Sequence, residues 1–364
     1  MWDSMARGGR PKLTQRLKFL DGLRGWAALV VLVGHALFAF PMPIMAALHA
    51  DYWRPFSGRF AVCVFFLVSG FALSVGYYRT GDSAAVWRLG AGRYFRLMIP
   101  IFATCAMVSV LLNADLIMPS RPAGFRDIYE FDPTAAHLLR FGLFDVFFRY
   151  KAADTYAGPL WAMSYELFGS ALVLGLLILG GRRRWPPYVA FGLAVLAGHY
   201  VYALFFAGMA CAREFERLRS VPSWLGACLL LAGTVAWRFS EAVIWVAATA
   251  FFVGAITTPG VLRFLSNRPS SMLGHISFPL YLVHGPMIFA VGLPLYVAGP
   301  PWLAFVATLI SSVVTAMAFM PVNSFAIRAS RAFGGLVVKL THRIVQTKNA
   351  RRPKPNFVRF GSKS

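Results

Sequence analysis

Apolar residues in this chain gather in long runs instead of recurring three and four apart as on a half-buried soluble helix. Runs near 18–40, 58–78, 95–114, 159–179, 222–237, 241–257, 276–297 and 301–321 approach or reach the length that crosses a bilayer. Each is bounded by Pro, Gly or charge, which end a membrane helix or hold its end at the interface. Together they predict an all-α bundle of transmembrane helices. The stretch from Pro186 to Cys211 is apolar too, and reads either as one long helix or as two short ones turning at Gly198-His199-Tyr200.

Positive charge decides between these readings, because loops rich in Lys and Arg stay on the cytoplasmic side. Two helices give ten spans with both termini inside, and place 27 Lys and Arg inside against 8 outside, with Arg24 within a span. One helix reverses every later loop and gives 13 inside against 22 outside. The expectation is therefore a polytopic bundle of about ten membrane helices with both termini cytoplasmic. Helices of about 11 to 13 residues reach only about 16 to 20 Å, so the short pair should be half-spanning or covered by neighbours. A transmembrane domain over 1–322 would be followed by a basic cytoplasmic tail over 323–364. The amphipathic stretch of that tail around Gly334 to Val345 suits an anionic lipid surface.

Composition agrees with a membrane protein. Hydrophobic residues make up 58% of the 364 and charged residues 14%, with a mean hydropathy of +0.61, too little polar surface to cover a soluble globule. The net charge of +22 raises nucleic-acid binding. Yet the basic residues sit between apolar runs and not on a face interleaved with aromatics, so no nucleic-acid partner is expected. The basic N-terminal segment begins like a signal peptide, but the run behind it is too long and has no small-residue cleavage site, so a retained first span is expected. Cys63, Cys105, Cys211 and Cys228 lack metal-ligand spacing, and neither a metal site nor a tightly bound cofactor is expected.

Against this background an ionisable group inside a span marks a site. Arg24 and His35 share the run KFLDGLRGWAALVVLVGHALFAF; eleven residues make three helical turns, so both project from almost one face about 16 Å apart. Counted from the helix ends, His35 lies about 9 Å and Glu166 about 10 Å below the outer surface. The two are expected to meet, the carboxylate orienting an imidazole that takes a proton near pH 7. Arg93 and Arg96 in GRYFRLMIP stand one turn apart at the inner end of the third span, and two guanidinium forks suit phosphate. Ser277, Tyr281 and His284 form a polar stripe in HISFPLYLVHGP. His284, about 10 Å from the inner end of its span, is expected beside a donor arm and away from His35. The plainer alternative makes these residues interface anchors and interhelical hydrogen-bond partners.

Taken in order, FLDGLRGWAALVVLVGH, VFFLVSGFALS, GRYFRLMIP, LWAMSYELF and ISFPLYLVHGP resemble the membrane acyltransferase family 3, whose members transfer acyl groups to sugars and other hydroxyl acceptors. The chain departs from that pattern at Cys63, where many relatives carry an acidic residue, and at Tyr165 and Phe168-Gly169-Ser170. The resemblance implies that Arg24 and His35 are the essential pair, that Arg93 and Arg96 help hold acyl-CoA, and that donor and acceptor arrive from opposite sides. The expected function is transfer of an acyl group, acetyl first, from acyl-CoA as co-substrate to a carbohydrate hydroxyl at a bacterial inner membrane. His35, Arg24 and Glu166 would be catalytic, with Tyr281 and His284 joining Arg93 and Arg96 on the donor side. The partners implied are acyl-CoA, a carbohydrate acceptor, membrane lipid and, left open, a second copy of the chain. A rival class is a transporter or flippase for a lipid-linked sugar, suggested by many spans and intramembrane charge.

Overall fold

Short polar signals cut the apolar runs into helices. Helix α1 is Lys18–Ala39. Ser57 opens α2 (Gly58–Thr80), its hydroxyl accepting from the N–H of Phe60, and Asp82 opens α3 (Ser83–Asn113) by accepting from Ala85, so each satisfies a backbone donor left over at a helix start. Between them Gly81 takes the left-handed conformation with φ 73°, the usual stop signal of a helix. After a short helical segment around Ala135–Arg140 come α4 (Trp161–Gly180), α5 (Pro186–Leu196), α6 (Tyr200–Arg213), α7 (Ser223–Ala236) and α8 (Ile244–Thr257). Helices α9 (Arg268–Met287), α10 (Pro301–Ala318) and α11 (Met320–Ala350) complete the order. This computed structural model describes residues 17–42, 57–117, 129–236 and 243–350, with side chains as far as 341. The basic segment before 17, residues 118–128 of the outer loop, Arg238 and the end of the tail after 350 lie outside the described residues.

The described residues are helical without strands, as the apolar runs predict. Among the described residues six stretches are long and apolar enough to cross a membrane: Lys18–Ala39, Gly58–Thr80, Ser83–Asn113, Gly158–Gly180, Arg268–Ala298 and Pro301–Ala318. Helices α5, α6 and α7 are apolar but shorter, and α8 is followed at a bend of 91° by Pro259–Leu265. The apolar stretch from Pro186 to Cys211 is two helices, parted at Gly198 with φ 72°. Large apolar side chains such as Phe38, Leu179, Leu196 and Trp224 face outward, as lipid contact requires.

Two helices begin earlier than hydropathy suggested. Helix α3 starts at Ser83 and not near 95, and α9 starts at Arg268 and not near 276. The reason lies in the caps: Asp82 and Asn267 accept from Ala85 and Ser270, and a helix runs from its cap whether or not its first turns lie in hydrocarbon. A hydropathy window detects only the apolar remainder. Consequently Arg93 stands ten residues, about 15 Å, inside α3, and His284 stands sixteen residues, about 24 Å, inside α9.

Small residues set the closest helix contacts. Helices α1 and α9 run side by side in the same direction, touching at Gly25 and Gly274: a Cβ on Gly25 would lie 2.5 Å from the Gly274 nitrogen, and one on Gly274 2.3 Å from the Asp21 carbonyl oxygen. Helices α2 and α6 meet similarly through Gly70 and Gly208. Such backbone contact is how membrane helices gain packing without a hydrophobic drive between them. Helix α11 lies along α3. Replacing Gly274 by Val should force α1 and α9 apart and cost about 3 kcal/mol or more; a fall in the thermal unfolding temperature of purified protein in detergent, with loss of the folded peak on size exclusion, would register it.

Candidate active site

Two cavities lie along α1, one above the other. The first, of about 320 Å³, gathers Asp21 and Arg24 of α1, Ser69 of α2, Arg93 and Arg96 of α3, Glu166 of α4, and Tyr281 of α9. Asn323 and Ser324 of α11 close one side. The second, of about 250 Å³, is lined by His35, Gly58, Arg59, Trp161, Gly285 and Phe289 among others. Val62 and Tyr281 line both and so form the wall between them. Arg24 and His35, sharing one face of α1, thus open into different chambers.

Glu166 is the polar hub of the first cavity. Its Oε1 accepts from the Ser69 hydroxyl at 2.7 Å and pairs with the Arg93 guanidinium. Arg93 also donates through Nε to Ser170 Oγ at 2.9 Å, and Ser170 donates to the Glu166 carbonyl oxygen at 2.5 Å. The ion pair is largely shielded, at 19% and 13% side-chain exposure, where a bare charge would be costly and a paired, hydrogen-bonded one is tolerated. Arg96 lies against the Phe278 ring at 5.2 Å and donates to Asn323 Oδ1 at 2.8 Å. Three guanidiniums therefore face one chamber with Asp21 and Glu166 as the acidic groups on its wall. Electrostatically the chamber favours an anion.

His35 takes a partner other than the expected one. Its Nδ1 lies 2.8 Å from Nε2 of His284, with the two rings stacked at 5.1 Å between centroids. His35 is exposed to the second cavity, whereas His284 is fully buried. The expected meeting of His35 with Glu166 is replaced by separate pairings, because counting residues fixes height in the bundle but not direction around a helix. Glu166 turns toward α2 and α3, where Arg93 offers a charged partner. The placement of His284 away from His35 is likewise corrected, by the longer α9. Arg93 stands ten residues into α3 and lines the first cavity beside Arg24 and Arg96. Tyr281 does join Arg93 and Arg96 at the first cavity, and its hydroxyl donates to the Pro159 carbonyl at 3.0 Å.

Sequence reasoning passed over Ser69, Ser170 and Asn323. Ser69 and Ser170 sit inside apolar runs, and a buried hydroxyl facing a carboxylate or guanidinium could have been suspected from that alone. Asn323 lay beyond the supposed end of the membrane part. Past Gly285 and Pro286 the backbone passes through a π-helical turn, Ile288–Gly292, a feature often found at functional sites, and it carries Ile288 and Phe289 to the second cavity.

A family model described as an acyltransferase domain, Acyl_transf_3, matches residues 17–320. The chain belongs to this acyltransferase family. Its match ends at the first residue of α11, so Asn323 and Ser324 reach the first cavity from outside the matched region. No curated protein and no solved structure matched the chain. The family and the apolar helices together make the protein an integral-membrane acyltransferase.

Removing Arg93 should leave the Glu166 carboxylate shielded and uncompensated. Arg93→Ala is expected to lower stability by about 3 kcal/mol, and Glu166→Gln in the same chain should restore part of it. Thermal unfolding of the single and double variants in detergent measures the coupling directly.

Proposed function

We propose that this acyltransferase moves an acyl group, acetyl first, from cytoplasmic acyl-CoA to a hydroxyl of a surface or exported carbohydrate, with His35 as general base. One observation carries the reading: a chamber lined by Arg24, Arg93 and Arg96 shares a wall, Val62 and Tyr281, with the chamber that exposes His35. Arg93 and Arg96 bind the phosphates of CoA, for which guanidinium forks are suited. The pantetheine arm then passes Arg24 and the Tyr281 wall, a rise of about 16 Å along α1. Its thioester arrives beside the imidazole.

At that point His35 removes the proton of the acceptor hydroxyl as its oxygen attacks the thioester carbonyl. Glu166 acts by holding Arg93 in the donor chamber, a positioning role instead of the imidazole-orienting one expected from its height. The topology that accompanies this reading has ten passes, α5 to α8 being short ones, and puts both termini on the cytoplasmic side of a bacterial inner membrane.

Two measurements test it. Purified His35→Ala should lose acetyl transfer to a carbohydrate acceptor by about 10²-fold to 10⁴-fold while still being stabilised thermally by acetyl-CoA; full activity would end the general-base role. Arg96→Ala should raise the Kd for acetyl-CoA by about tenfold, the size of one lost charged contact. Unchanged affinity, or movement of a lipid-linked sugar across liposomes without CoA, would overturn the donor assignment.

A further inference from the structure

The His35–His284 pair dictates which nitrogen of His35 is free. His284 Nδ1 lies 3.2 Å from the Leu280 carbonyl oxygen, which can only accept, so the proton of the neutral His284 ring sits on Nδ1. Its Nε2 then carries a lone pair, and the 2.8 Å contact with His35 Nδ1 requires His35 to donate. A neutral His35 thus holds its proton on Nδ1 and presents an unprotonated Nε2.

That nitrogen faces Gly58, the first residue of α2. A Cβ built on Gly58 would lie 3.2 Å from His35 Nε2, closer than to either neighbouring ring carbon, at 3.7 and 3.8 Å. Gly58 also lines the second cavity. No backbone need explains glycine here: Gly58 is helical, without a positive φ, and alanine is the better helix former. What glycine supplies is open space on the lone pair.

Resting on the general-base reading above, we infer that the acceptor hydroxyl binds in the space Gly58 leaves beside His35 Nε2, with His284 as the positioning residue that keeps that nitrogen unprotonated. In the transfer, the acceptor O–H proton passes to Nε2 and the acceptor oxygen forms a bond to the thioester carbonyl carbon. The C–S bond then breaks with its electron pair on sulfur. The thiolate takes the proton from Nε2, giving the ester, free CoA thiol and a neutral His35 again with its proton on Nδ1.

The test pairs kinetics with spectroscopy on the full chain. Gly58→Ala should bind acetyl-CoA like the parent yet lose about tenfold or more in kcat/KM toward the acceptor, with the KM for acetyl-CoA unchanged, since one methyl occupies the proton-transfer position. His284→Phe keeps a ring but offers no acceptor, and should lower kcat about 10²-fold; His284→Gln, whose amide oxygen can accept from His35, should recover most of that loss. Nitrogen-15 NMR of histidine-labelled protein in lipid nanodiscs, with His35→Gln to assign the signal, should show a protonated Nδ1 and bare Nε2 on His35, and lose that preference in His284→Phe. Gly58→Ala within twofold of the parent, Gln no better than Phe at 284, or a protonated Nε2 in the parent would overturn this inference and leave the acyltransferase reading standing. Loss of activity in none of the variants, His35→Ala included, would instead remove the general base itself.

Discussion

The site depends on how closely α1 and α9 approach. Gly25 faces Gly274, and His35 faces His284; both pairs are separated by 249 residues, so one register runs along both helices from the glycine contact to the imidazole contact. Trp26 reinforces it by donating to Ser270 at 3.0 Å and stacking on Phe264. Ten residues of helix, about 15 Å, carry that register from glycine to histidine. Two helices held at backbone contact cannot slide or rotate far without collision, and a hydrogen bond between short imidazole side chains needs that constancy.

The second constraint is charge in a dry interior. Three guanidiniums in one chamber repel one another, and the fold answers with partners from four helices: Glu166 and Ser170 from α4 hold Arg93, Ser69 from α2 donates to the Glu166 carboxylate, and Phe278 from α9 and Asn323 from α11 hold Arg96. Each partner satisfies part of a group that lipid could not solvate. Helix α11 is part of that chamber as well as a tail, since Asn323 and Ser324 line it.

The two chambers give the proposed transfer its separation of labour. Anion binding and proton abstraction make opposite demands on electrostatics: guanidiniums beside an imidazole would oppose its protonation. Placing Arg24 and His35 three turns apart, behind a wall of Val62 and Tyr281, lets one end of a long donor be held by charge while the other reacts at a neutral base.

Sequence alone determined the helical class, the membrane setting, the break between α5 and α6, and the identity of most polar groups at the site, because each is written in apolar run length, in the distribution of Lys and Arg between the runs, or in an ionisable residue where none should be. Hydropathy placed the starts of α3 and α9 too late, because the caps at Asp82 and Asn267 lie outside the apolar runs, and the height of His284 along α9 was undercounted accordingly. Only the tertiary structure decided the partners: that His35 meets His284, that Glu166 turns to Arg93, and that Asn323 returns to close the chamber. Those pairings depend on rotation about each helix axis and on contacts more than 200 residues apart for His35 with His284 and Arg96 with Asn323, and neither is encoded in spacing along one strand of sequence.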